Sequence, residues 1–515
     1  MRFKCRVLKL KQQSGLSTDK NDGAKLKILL IAPPVFDFYF TTHRMEPLGL
    51  EYIREALETA GHSVTLYDST ASGKVKTVAT PPEFAYLSEF YEEDASPFSL
   101  HSNYKRLGDS FQKIVDFICK NDFDLIALSS LFSPYHPDVE LLAAEIKKVT
   151  KTPLCIGGTA VNAQKKRIAK TTNADYLNCG NGAVTLPLLA DALAGKTGFD
   201  EVKGLIYRKN GEILFNEPSF EPAWCGSLIP KRDNLRYFRK KKIAKIVFSS
   251  GCRNRCAFCS IHRDNKLAYR DISHIKRELE YLQSIGAEVI DIEDDDIFSN
   301  REYAMQIFEI LEEMHEKGLS YTAMNGMTVR NILPFAARLA KAGFIKLDLS
   351  LVSAEKSVAD HLHRPHGIAE IEKVVELTEG KTEIEVFLIP GLPGTDVRDT
   401  CTTLLHLNKL GVKGGLSPLY LVPGVPMFEE MGIPGNVRLC RGSALYPFDG
   451  KTRADIASLL KISRFLNYSL DHKNDENYEV FLNYFNESLR RKRWFRLGKD
   501  GIWRDSFDFF CDFEL

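Results

Sequence analysis

The chain has 515 residues, of which 44% are hydrophobic and 27% are charged, and its formal net charge is +1. This length predicts two to four domains, and the balanced charge argues against a nucleic-acid-binding protein. The 11 cysteines form no regular framework beyond one triplet, which indicates a reducing compartment, and we expect the cytoplasm. Residues 1–25 form a polar lead-in without a signal-peptide pattern, and no run of about 18 apolar residues predicts a membrane span.

Residues 26–200 alternate between strand and helix patterns. Short apolar runs predict strands at Ile28–Ala32, Ser63–Tyr67, Asp124–Ser130, Pro153–Gly157 and Ala174–Cys179, with helices at Gly49–Ala60, at Val139–Val149 and after Gly182. This alternation predicts an α/β domain with a Rossmann-like, doubly wound parallel sheet. Ligands of such sheets bind beyond the carboxyl ends of the strands.

Four loops follow the predicted strands at that edge, and they are rich in small residues. Their candidate ligand-binding residues are Pro33, Pro34, Ser129, Ser130, Phe132, Gly157, Gly158, Gly180 and Gly182. Small side chains allow a large flat ligand to approach the backbone closely. Turns between strands and helices are often rich in glycine and serine, so a domain without a bound cofactor is the alternative.

Two segments depart from this pattern. Residues 70–108, with Pro81-Pro82 and many acidic and aromatic residues, predict an inserted, partly helical excursion, either over the mouth of the sheet or on the protein surface. Residues 201–242 predict a hairpin with Asn210-Gly211 in its turn, followed by an irregular linker. The basic run at 231–242 is interpreted as a solvated face, with binding of an anionic substrate as the alternative.

A cysteine triplet follows the apolar run Ile243–Phe248. Cys252, Cys256 and Cys259 stand at C-x3-C-x2-C spacing, and three thiolates on one short loop can hold three corners of a cubane iron–sulfur cluster. A structural zinc site would need a fourth ligand, for which His262 is the close candidate. Three ordinary free thiols are the third interpretation. The position of the triplet after a strand favours a metal centre.

The alternation resumes in residues 243–429. Strands are predicted at Ile243–Phe248, Val289–Asp291, Tyr321–Met324, Ile345–Val352, Ile384–Ile389 and Leu416–Val422, and helices at Ile275–Ile285, Tyr303–His315, Leu333–Ala342, Ile368–Leu377 and Asp396–Leu410. Six strands with five helices between them predict a partial, TIM-like (β/α)6 barrel. In barrels the chemistry gathers at the carboxyl ends of the strands, where this sequence places the cysteine loop and the acidic run Glu293–Asp296.

Residues 430–515 change character. Amphipathic helices are predicted at Ile456–Leu466 and Tyr478–Leu489, followed by a basic patch at 490–493 and an aromatic tail that could pack over the barrel. Cys440 and Cys511 show no ligand spacing, so a second cluster is not expected.

The cysteine loop and the barrel after it resemble the radical S-adenosylmethionine (SAM) superfamily, and residues 26–200 resemble the cobalamin-binding domain that precedes many of its members. The resemblance implies a 4Fe–4S cluster on the cysteine triplet, whose open iron chelates SAM, and cobalamin at the loops of the N-terminal sheet. The Asp-x-His-x-x-Gly pattern that supplies a cobalt-coordinating histidine in many such domains is absent. His43, His62 and His136 stand in other contexts.

By position, the resemblance assigns nine residues to SAM: Phe258, Asp294, Asp295, Asn325, Ser353, Arg364, Ile389, Gly391 and Val422. The two aspartates would receive the amino group, and Arg364 would pair with the carboxylate, because its planar fork matches one. Ile389 and Gly391 would lie against adenine. The alternatives are helix capping for the acids, which Asn300 could do better, and a surface salt bridge for Arg364.

The resemblance predicts a cobalamin-dependent radical SAM methyltransferase. It implies that one SAM methylates reduced cobalamin, and that a second is cleaved to a 5′-deoxyadenosyl radical that removes a hydrogen from an unactivated carbon. The substrate radical would then take the methyl group. The expected partners are a small-molecule or peptide substrate and an external electron donor such as flavodoxin or ferredoxin. The alternatives are a radical cyclase or oxidoreductase with both cofactors, and a non-catalytic cobalamin- or SAM-sensing module.

Overall fold

The computed structural model describes residues 25–222, 228–261, 267–364, 367–447, 450 and 452–509. The alternative zinc ligand His262 and Cys511 lie outside these residues. The chain divides into two compact units, each assembled from three separate stretches. Unit 1 comprises Met1–Phe36, Pro47–Val75 and Leu107–Asn234, and unit 2 comprises Asp37–Glu46, Lys76–Arg106 and Leu235–Leu515.

Unit 1 is built on a seven-stranded sheet. Its strands are β1 (Lys27–Ala32), β2 (Ser63–Asp68), β3 (Leu125–Ser129), β4 (Leu154–Gly157), β5 (Tyr176–Asn178), β6 (Leu205–Lys209) and β7 (Glu212–Phe215), in the order β7-β6-β5-β4-β3-β1-β2. Strands β1 to β5 are parallel, whereas β6 and β7 extend the sheet as an antiparallel hairpin. The predicted parallel strands are confirmed, and the hairpin turn has φ of 52° at Asn210 and 85° at Gly211, as this residue pair favours.

Helices cover both faces of this sheet. They are α1 (Leu48–Thr59), α2 (Phe111–Cys119), α3 (His136–Val149), α4 (Thr159–Thr171) and α5 (Gly182–Leu193). Leu29 and Ile31 of β1 belong to one hydrophobic cluster, and Ile28 and Leu30 to the other. Burial on both faces explains why β1 is a continuous apolar run. Helices α2 and α4 were not predicted, although Ile114, Val115 and Ile118 give α2 a helical apolar spacing. In α4, polar and basic residues interrupt the apolar pattern.

The strand order of unit 1 reverses between β1 and β3. From β1 the chain moves outward to β2, and from β3 it moves in the other direction to β4 and β5. In open α/β sheets, ligands bind beyond the carboxyl ends of the strands at such a switch point. The loops predicted to bind a ligand after β1 and β3 flank this point.

Unit 2 contains a second seven-stranded sheet. Its strands are β8 (Arg236–Phe238), β9 (Lys241–Ile246), β10 (Val289–Ile292), β11 (Ser320–Thr328), β12 (Phe344–Val352), β13 (Glu383–Leu388) and β14 (Lys413–Leu416), which lie side by side in chain order. Strands β9 to β14 are parallel, and β8 is an antiparallel edge. The predicted partial barrel of six parallel strands is therefore confirmed.

The position predicted for the sixth parallel strand is wrong. The strand occupies Lys413–Leu416 rather than Leu416–Val422. Gly414 and Gly415 pair with β13, and a Cβ atom on Gly415 would lie 2.5 Å from the Phe387 ring. Close packing thus requires two glycines where the sequence suggests a turn, and the apolar run after them lies beyond the strand.

The helices of unit 2 alternate with these strands and continue into the C-terminal region. They are α6 (Ile272–Ser284), α7 (Arg301–Glu316), α8 (Val329–Ile332), α9 (Lys356–His361), α10 (Ile368–Thr378), α11 (Val397–Lys409), α12 (Pro426–Met431), α13 (Arg453–His472) and α14 (Tyr478–Arg491). The helix predicted at Leu333–Ala342 is instead α8 followed by a 3-10 helix at Leu333–Arg338. Within the described residues, no helix is both long and apolar enough to cross a membrane.

Most of the predicted insertion belongs to unit 2. It contains a 3-10 helix at Pro82–Glu89, and the Tyr86 and Tyr91 hydroxyls donate to the carbonyls of Ala444 and Ser443 at 2.7 Å each. Short strands lie at Val35–Asp37, Val75–Thr77 and Lys105–Leu107, where the chain passes between the units. The insertion is therefore packed against the C-terminal region.

A hairpin that the sequence analysis did not predict ends the described chain. Its strands are Arg493–Leu497 and Trp503–Asp508. Trp494 is fully buried, and its indole N–H donates to the Ser458 hydroxyl at 2.8 Å. Trp494, which follows the predicted basic patch, thus lies in the core of the C-terminal region, as do Phe507 and Phe509 of the predicted tail. The rest of that tail lies outside the described residues.

Candidate active site

Asp294 fixes the start of the cysteine loop in unit 2. The backbone N–H of Phe248 donates to Asp294 Oδ1 at 2.7 Å, and the Ser249 hydroxyl donates to Oδ2. Burial raises the pKa of Asp294 to about 7, while these donors favour the carboxylate. Both carboxyl oxygens are therefore engaged by the loop itself.

The next two aspartates hold later residues of the same loop. The Gly251 backbone N–H favours the carboxylate of Asp295, whose pKa burial raises to about 6. Asp296 Oδ2 accepts from the Arg253 N–H at 3.1 Å, and its Oδ1 accepts from Asn331 Nδ2 at 2.7 Å. The three consecutive carboxylates thus follow the loop in register, so that each one holds a different part of it.

The alternative role of these acids, capping the next helix, falls to another residue. Asn300 is the N-cap of α7, and its side-chain oxygen accepts from the Tyr303 N–H at 3.1 Å. This is the assignment that the sequence favoured for the cap, and it leaves the acidic run free to organise the cysteine loop.

The segment after α9 holds the other side of the loop. The Ala257 N–H donates to the Leu362 carbonyl at 3.3 Å, and His363 Nδ1 donates to the Arg255 carbonyl at 3.1 Å. Arg364 Nη1 lies 3.4 Å from Cys256 Sγ. The loop is therefore clamped between the end of β10 and residues 362–364.

The three thiols of the loop are free, and they differ in exposure. Cys256 is buried, whereas Cys252 and Cys259 are partly exposed. Burial, reinforced by Asp296, raises the pKa of Cys252 to about 11, and burial raises that of Cys259 as well. Among the described residues, no group of three or more His, Cys, Asp or Glu side chains is arranged as a site for a metal ion. The donor set itself, three soft sulfurs on one loop, suits an iron–sulfur cluster.

An arginine that sequence analysis missed reaches the same rim. Arg44 Nη2 donates to both carboxyl oxygens of Glu293 at 3.0 and 3.2 Å, and its Nη1 donates to the Met324 carbonyl at 2.7 Å. Lys245 Nζ lies 3.0 Å from Glu293 Oε1. Although burial favours its neutral form, these two cations hold the pKa of Glu293 below its ordinary value. No sequence signal marks Arg44, because 249 residues separate it from its carboxylate partner.

The predicted SAM residue Asn325 is part of this arrangement. Its side-chain oxygen lies 3.5 Å from Arg44 Nη2, and its Nδ2 lies 3.5 Å from the Asp294 carbonyl oxygen. The structure thus brings Asn325 to the acidic run, as its position after a predicted strand suggested.

Apolar candidates for the SAM site meet on one hydrophobic cluster of unit 2. Phe258, Ile389 and Val422 all pack against the cluster that contains Val352 and Leu362. Val422 reaches it from six residues beyond the end of β14, rather than from the strand itself. The correction to the sixth strand therefore leaves Val422 beside the other apolar candidates.

The end of β12 is conformationally strained. Val352 has φ of 69°, a left-handed conformation that costs about 1–3 kcal/mol for such a residue. The Ile389 N–H donates to the Val352 carbonyl at 3.3 Å. The next residue, Ser353, is buried, and its hydroxyl accepts from the Glu355 N–H at 3.1 Å. Gly391, with φ of 100°, completes the turn after β13.

The candidate loops of unit 1 are held mainly by one another. A Cβ atom on Gly158 would lie 2.5 Å from the Ser130 carbonyl oxygen, and the Ser130 N–H donates to the Gly157 carbonyl at 2.7 Å. One on Gly180 would lie 2.5 Å from the Ser219 carbonyl oxygen. These glycines are thus required for packing between loops, whereas the sequence analysis ascribed them to the approach of a ligand.

Two apolar side chains at the switch point face solvent. Leu131 and Phe132 are 55% and 53% exposed, directly after Ser129 and Ser130. Pro33 is partly buried and Pro34 buried after β1. An exposed apolar pair beside small residues is a surface to which a large flat ligand can bind.

Comparison with known proteins agrees with this division of the chain. Residues 246–407 match the radical SAM superfamily, and residues 41–190 match the B12 binding domain. Cytidylyl-2-hydroxyethylphosphonate methyltransferase of Streptomyces wedmorensis is 22% identical over 410 residues, 71% of this chain and 73% of that protein. Hopanoid C-3 methylase of Methylococcus capsulatus is 28% identical over 301 residues, 56% of this chain and 49% of that protein, so this chain matches about half of its length.

Two further similarities bear on function and fold. The anaerobic magnesium-protoporphyrin IX monomethyl ester cyclase of Synechocystis sp. is 20% identical over 360 residues, 66% of this chain and 63% of that protein. The radical SAM methyltransferase TsrM from Kitasatospora setae, solved with cobalamin and a 4Fe–4S cluster bound, has a TM-score of 0.62 at 16% identity and covers 79% of this chain and 78% of its own. At this identity the likeness establishes the fold.

The chain therefore contains a radical SAM domain, with a B12-binding domain in front of it. It is an enzyme, and its cofactors are those of its two domains: a 4Fe–4S cluster, SAM and cobalamin.

Proposed function

We propose that this enzyme transfers a methyl group to an unactivated carbon of a small molecule. The observation that carries the proposal is the presence in one chain of a clamped cysteine loop in a radical SAM domain and of a B12-binding domain. Two of the relatives reported above are methyltransferases, and TsrM is named as one as well. A radical SAM domain alone would not favour methyl transfer over other radical reactions.

In the radical SAM domain, Cys252, Cys256 and Cys259 are the proposed cluster ligands. A cluster bound there supplies one-electron chemistry towards SAM. The chain's own contribution is to hold the loop through the acidic run and residues 362–364. Because burial raises the pKa of Cys252 to about 11, deprotonation of this thiol accompanies ligation, and cluster assembly improves as pH rises.

For SAM itself, the geometry favours a revised choice between the two aspartates. Both oxygens of Asp294 accept hydrogen bonds from the loop, whereas Asp295 is partly exposed. We therefore favour Asp295 for the amino group. Phe258, Ile389 and Val422 supply a common apolar surface for the adenine. Asn325 within β11, Ser353 directly after β12 and Gly391 in the turn after β13 stay predictions.

In the B12-binding domain, the proposed cobalamin residues are the switch-point and glycine loops: Pro33, Pro34, Ser129, Ser130, Phe132, Gly157, Gly158, Gly180 and Gly182. Cobalamin bound there supplies the methyl-transfer chemistry. His136 is not available as a cobalt ligand, because its Nδ1 lies 3.0 Å from the Ser130 hydroxyl and its Nε2 lies 3.3 Å from Glu140. The side chains of this loop therefore bind a corrin by shape and apolar contact.

The proposed partners follow from this chemistry. A small-molecule substrate is favoured because the related methyltransferases are named for a cytidylyl phosphonate and a hopanoid. An external low-potential donor such as flavodoxin or ferredoxin would supply electrons to the cluster. The cytoplasm is the proposed compartment, because the eight cysteines within the described residues are all free thiols, as a reducing environment maintains.

A radical cyclase with both cofactors is the second candidate, and the similarity to the magnesium-protoporphyrin cyclase favours it. Methyl transfer and cyclisation differ in what happens to SAM. Methyl transfer consumes SAM as a methyl donor and releases S-adenosylhomocysteine, whereas cyclisation releases only the products of radical cleavage.

The test uses full-length protein purified anaerobically with cobalamin, a reconstituted cluster, a strong reductant and SAM with a deuterated methyl group. Candidate small molecules are added, and S-adenosylhomocysteine, 5′-deoxyadenosine and deuterium in the product are measured. Deuterated product formed with both SAM-derived products supports the methyltransferase. Release of 5′-deoxyadenosine alone supports the cyclase, and release of neither supports a sensing module.

A further inference from the structure

Arg364 is a buried cation that has no anionic partner among the residues that the structure describes. The residue is 8% exposed, and within the described part of the chain its guanidinium forms no ion pair with a carboxylate. Its Nε is buried and has no hydrogen-bond partner there. The described residues therefore do not form the surface salt bridge considered from the sequence, and a buried charge of this kind is costly unless something compensates it.

The nearest acceptor is a sulfur of the proposed cluster-binding loop. Arg364 Nη1 lies 3.4 Å from Cys256 Sγ, and Cys256 is the most deeply buried of the three cysteines. The Arg364 backbone N–H donates to the Ala359 carbonyl at 2.7 Å, which fixes the residue at the end of α9. The backbone of Arg364 is therefore held next to the loop from which its guanidinium reaches the sulfur.

The geometry points to Arg364 as the counter-ion of the cluster, acting on its reduction potential through the Cys256 sulfur. This inference rests on the proposed cluster assignment and replaces the SAM carboxylate as the first role of Arg364. Three thiolates make a bound cluster anionic, and one-electron reduction by the external donor adds a further negative charge. A nearby cation and an N–H···S hydrogen bond stabilise the reduced form more than the oxidised one, and so raise the potential.

The test measures the reduction potential of the reconstituted full-length protein by an electron paramagnetic resonance titration without SAM or substrate. Arg364→Met removes the charge and the donor, Arg364→Gln keeps a neutral donor, and Arg364→Lys keeps the charge. At a fixed potential we expect the ratio of reduced to oxidised cluster to fall at least tenfold in Arg364→Met, equivalent to about 59 mV for one electron. The glutamine and lysine variants should fall between it and the parent.

Arg277→Met is the matched control, because Arg277 is an exposed arginine on α6 and should leave the potential unchanged. Iron and sulfide content, circular dichroism and the affinity for SAM are measured on every variant. Unchanged potentials together with weakened SAM binding would overturn the inference and restore the SAM carboxylate as the partner. Loss of the cluster in the methionine and glutamine variants, with retention in the lysine variant, supports the counter-ion role in a stronger form.

Two further outcomes are decisive. If all three variants lose both cluster and fold, Arg364 is a folding residue and the inference fails. Because no methyl transfer is involved in the measurement, an inactive parent enzyme with an intact cluster leaves the potentials interpretable. Failure of the proposed function is thereby separated from failure of the counter-ion role.

Discussion

The carboxyl edges of the two sheets carry different types of residue. In unit 2 the edge carries an acidic run in register with the cysteine loop, two cations on Glu293 and a buried arginine on a cysteine sulfur. In unit 1 the corresponding loops are glycine, serine and proline, with Leu131 and Phe132 exposed between them. A cluster and SAM need specific donors and charges, whereas a corrin bound without a histidine needs shape and apolar surface. A site made of specific donors and charges can be recognised in a sequence, whereas a site made of shape and apolar surface leaves almost no sequence pattern.

The largest expected difference between the two sites comes from removing a cluster ligand. Cys256→Ala should abolish the brown visible absorbance, the iron and sulfide content and the cleavage of SAM, because two thiolates cannot hold the cubane. Cobalamin binding by unit 1 should persist. Cys119→Ala, at an exposed cysteine on α2, is the control, and SAM cleavage retained by the Cys256 variant would refute the ligand assignment.

Removing a carboxylate that holds the loop should weaken the cluster without abolishing it. Asp296→Ala deletes the acceptor for the partly buried Arg253 backbone N–H and for one of the two hydrogen bonds of Asn331 Nδ2, at a cost of about 1–3 kcal/mol. We expect roughly a ten- to hundredfold weaker retention of iron under a chelator challenge. Asp360→Ala, at an exposed position on α9, should behave as the parent, and equal retention by both variants would show that the acidic run is not needed.

The converse experiment disturbs only the proposed cobalamin site of unit 1. Gly158→Ala places a Cβ atom 2.5 Å from the Ser130 carbonyl at φ of 116°, which should cost at least about 2 kcal/mol and displace the switch-point loop. Cobalamin affinity should fall while cluster content stays unchanged. Gly195→Ala separates strain from collision, because Gly195 has φ of 77° but open space around it. Unaltered cobalamin binding in the Gly158 variant would remove this loop from the site.

The smallest effect concerns the ionisable groups buried in unit 2. Burial and the neighbouring Arg464 and Lys105 lower the pKa of His101 to about 3, below its ordinary value of 6.5. The unfolded chain therefore binds a proton that the folded chain rejects, so this contribution to stability is complete above pH 6.5 and is lost as pH falls towards 3. The loss approaches about 1.4 kcal/mol per pH unit.

His101→Gln keeps an acceptor for Arg464 Nη2, which lies 3.1 Å from His101 Nε2. The variant should lose less stability than the parent between pH 7 and pH 5.5, measured as the urea-unfolding free energy at each pH. Parallel profiles for the two proteins would mean that His101 already accepts its proton in the folded state.

The strands were largely predictable because burial on both faces leaves continuous apolar runs, of which β1 and β3 are examples. The sixth strand of unit 2 was not, because Gly414 and Gly415 carry no hydrophobic signal. Leu404 approaches Gly414 closely, and Phe387 approaches Gly415. Helix α4 was missed because polar and basic residues interrupt its apolar pattern, whereas the apolar spacing of α2 was present in the sequence and was overlooked. Local patterns thus revealed the elements that carry large apolar surfaces.

The site divides in the same way. The cysteine spacing and the position of the acidic run after β10 are local, and they were visible. The register of three successive carboxylates along the loop is tertiary, and so is the contact of Arg364 with sulfur rather than with a carboxylate. The role of Arg44 could not be predicted, because no sequence pattern near residue 44 indicates that it pairs with Glu293, 249 positions away. Pairings between distant residues require the coordinates.

Unit 2 is assembled from separate stretches of the chain, and this affects its folding during synthesis on the ribosome. Asp94, in the insertion, pairs with Lys461 at 3.0 Å, and the two residues are 367 positions apart in the chain. At the usual rate of synthesis, about 5–20 residues per second, Lys461 is added roughly 20 to 70 s after Asp94. The early stretches of unit 2, Asp37–Glu46 and Lys76–Arg106, must therefore stay soluble until the rest of unit 2 has been synthesised. A nascent chain stalled before α13 should bind chaperones through these stretches.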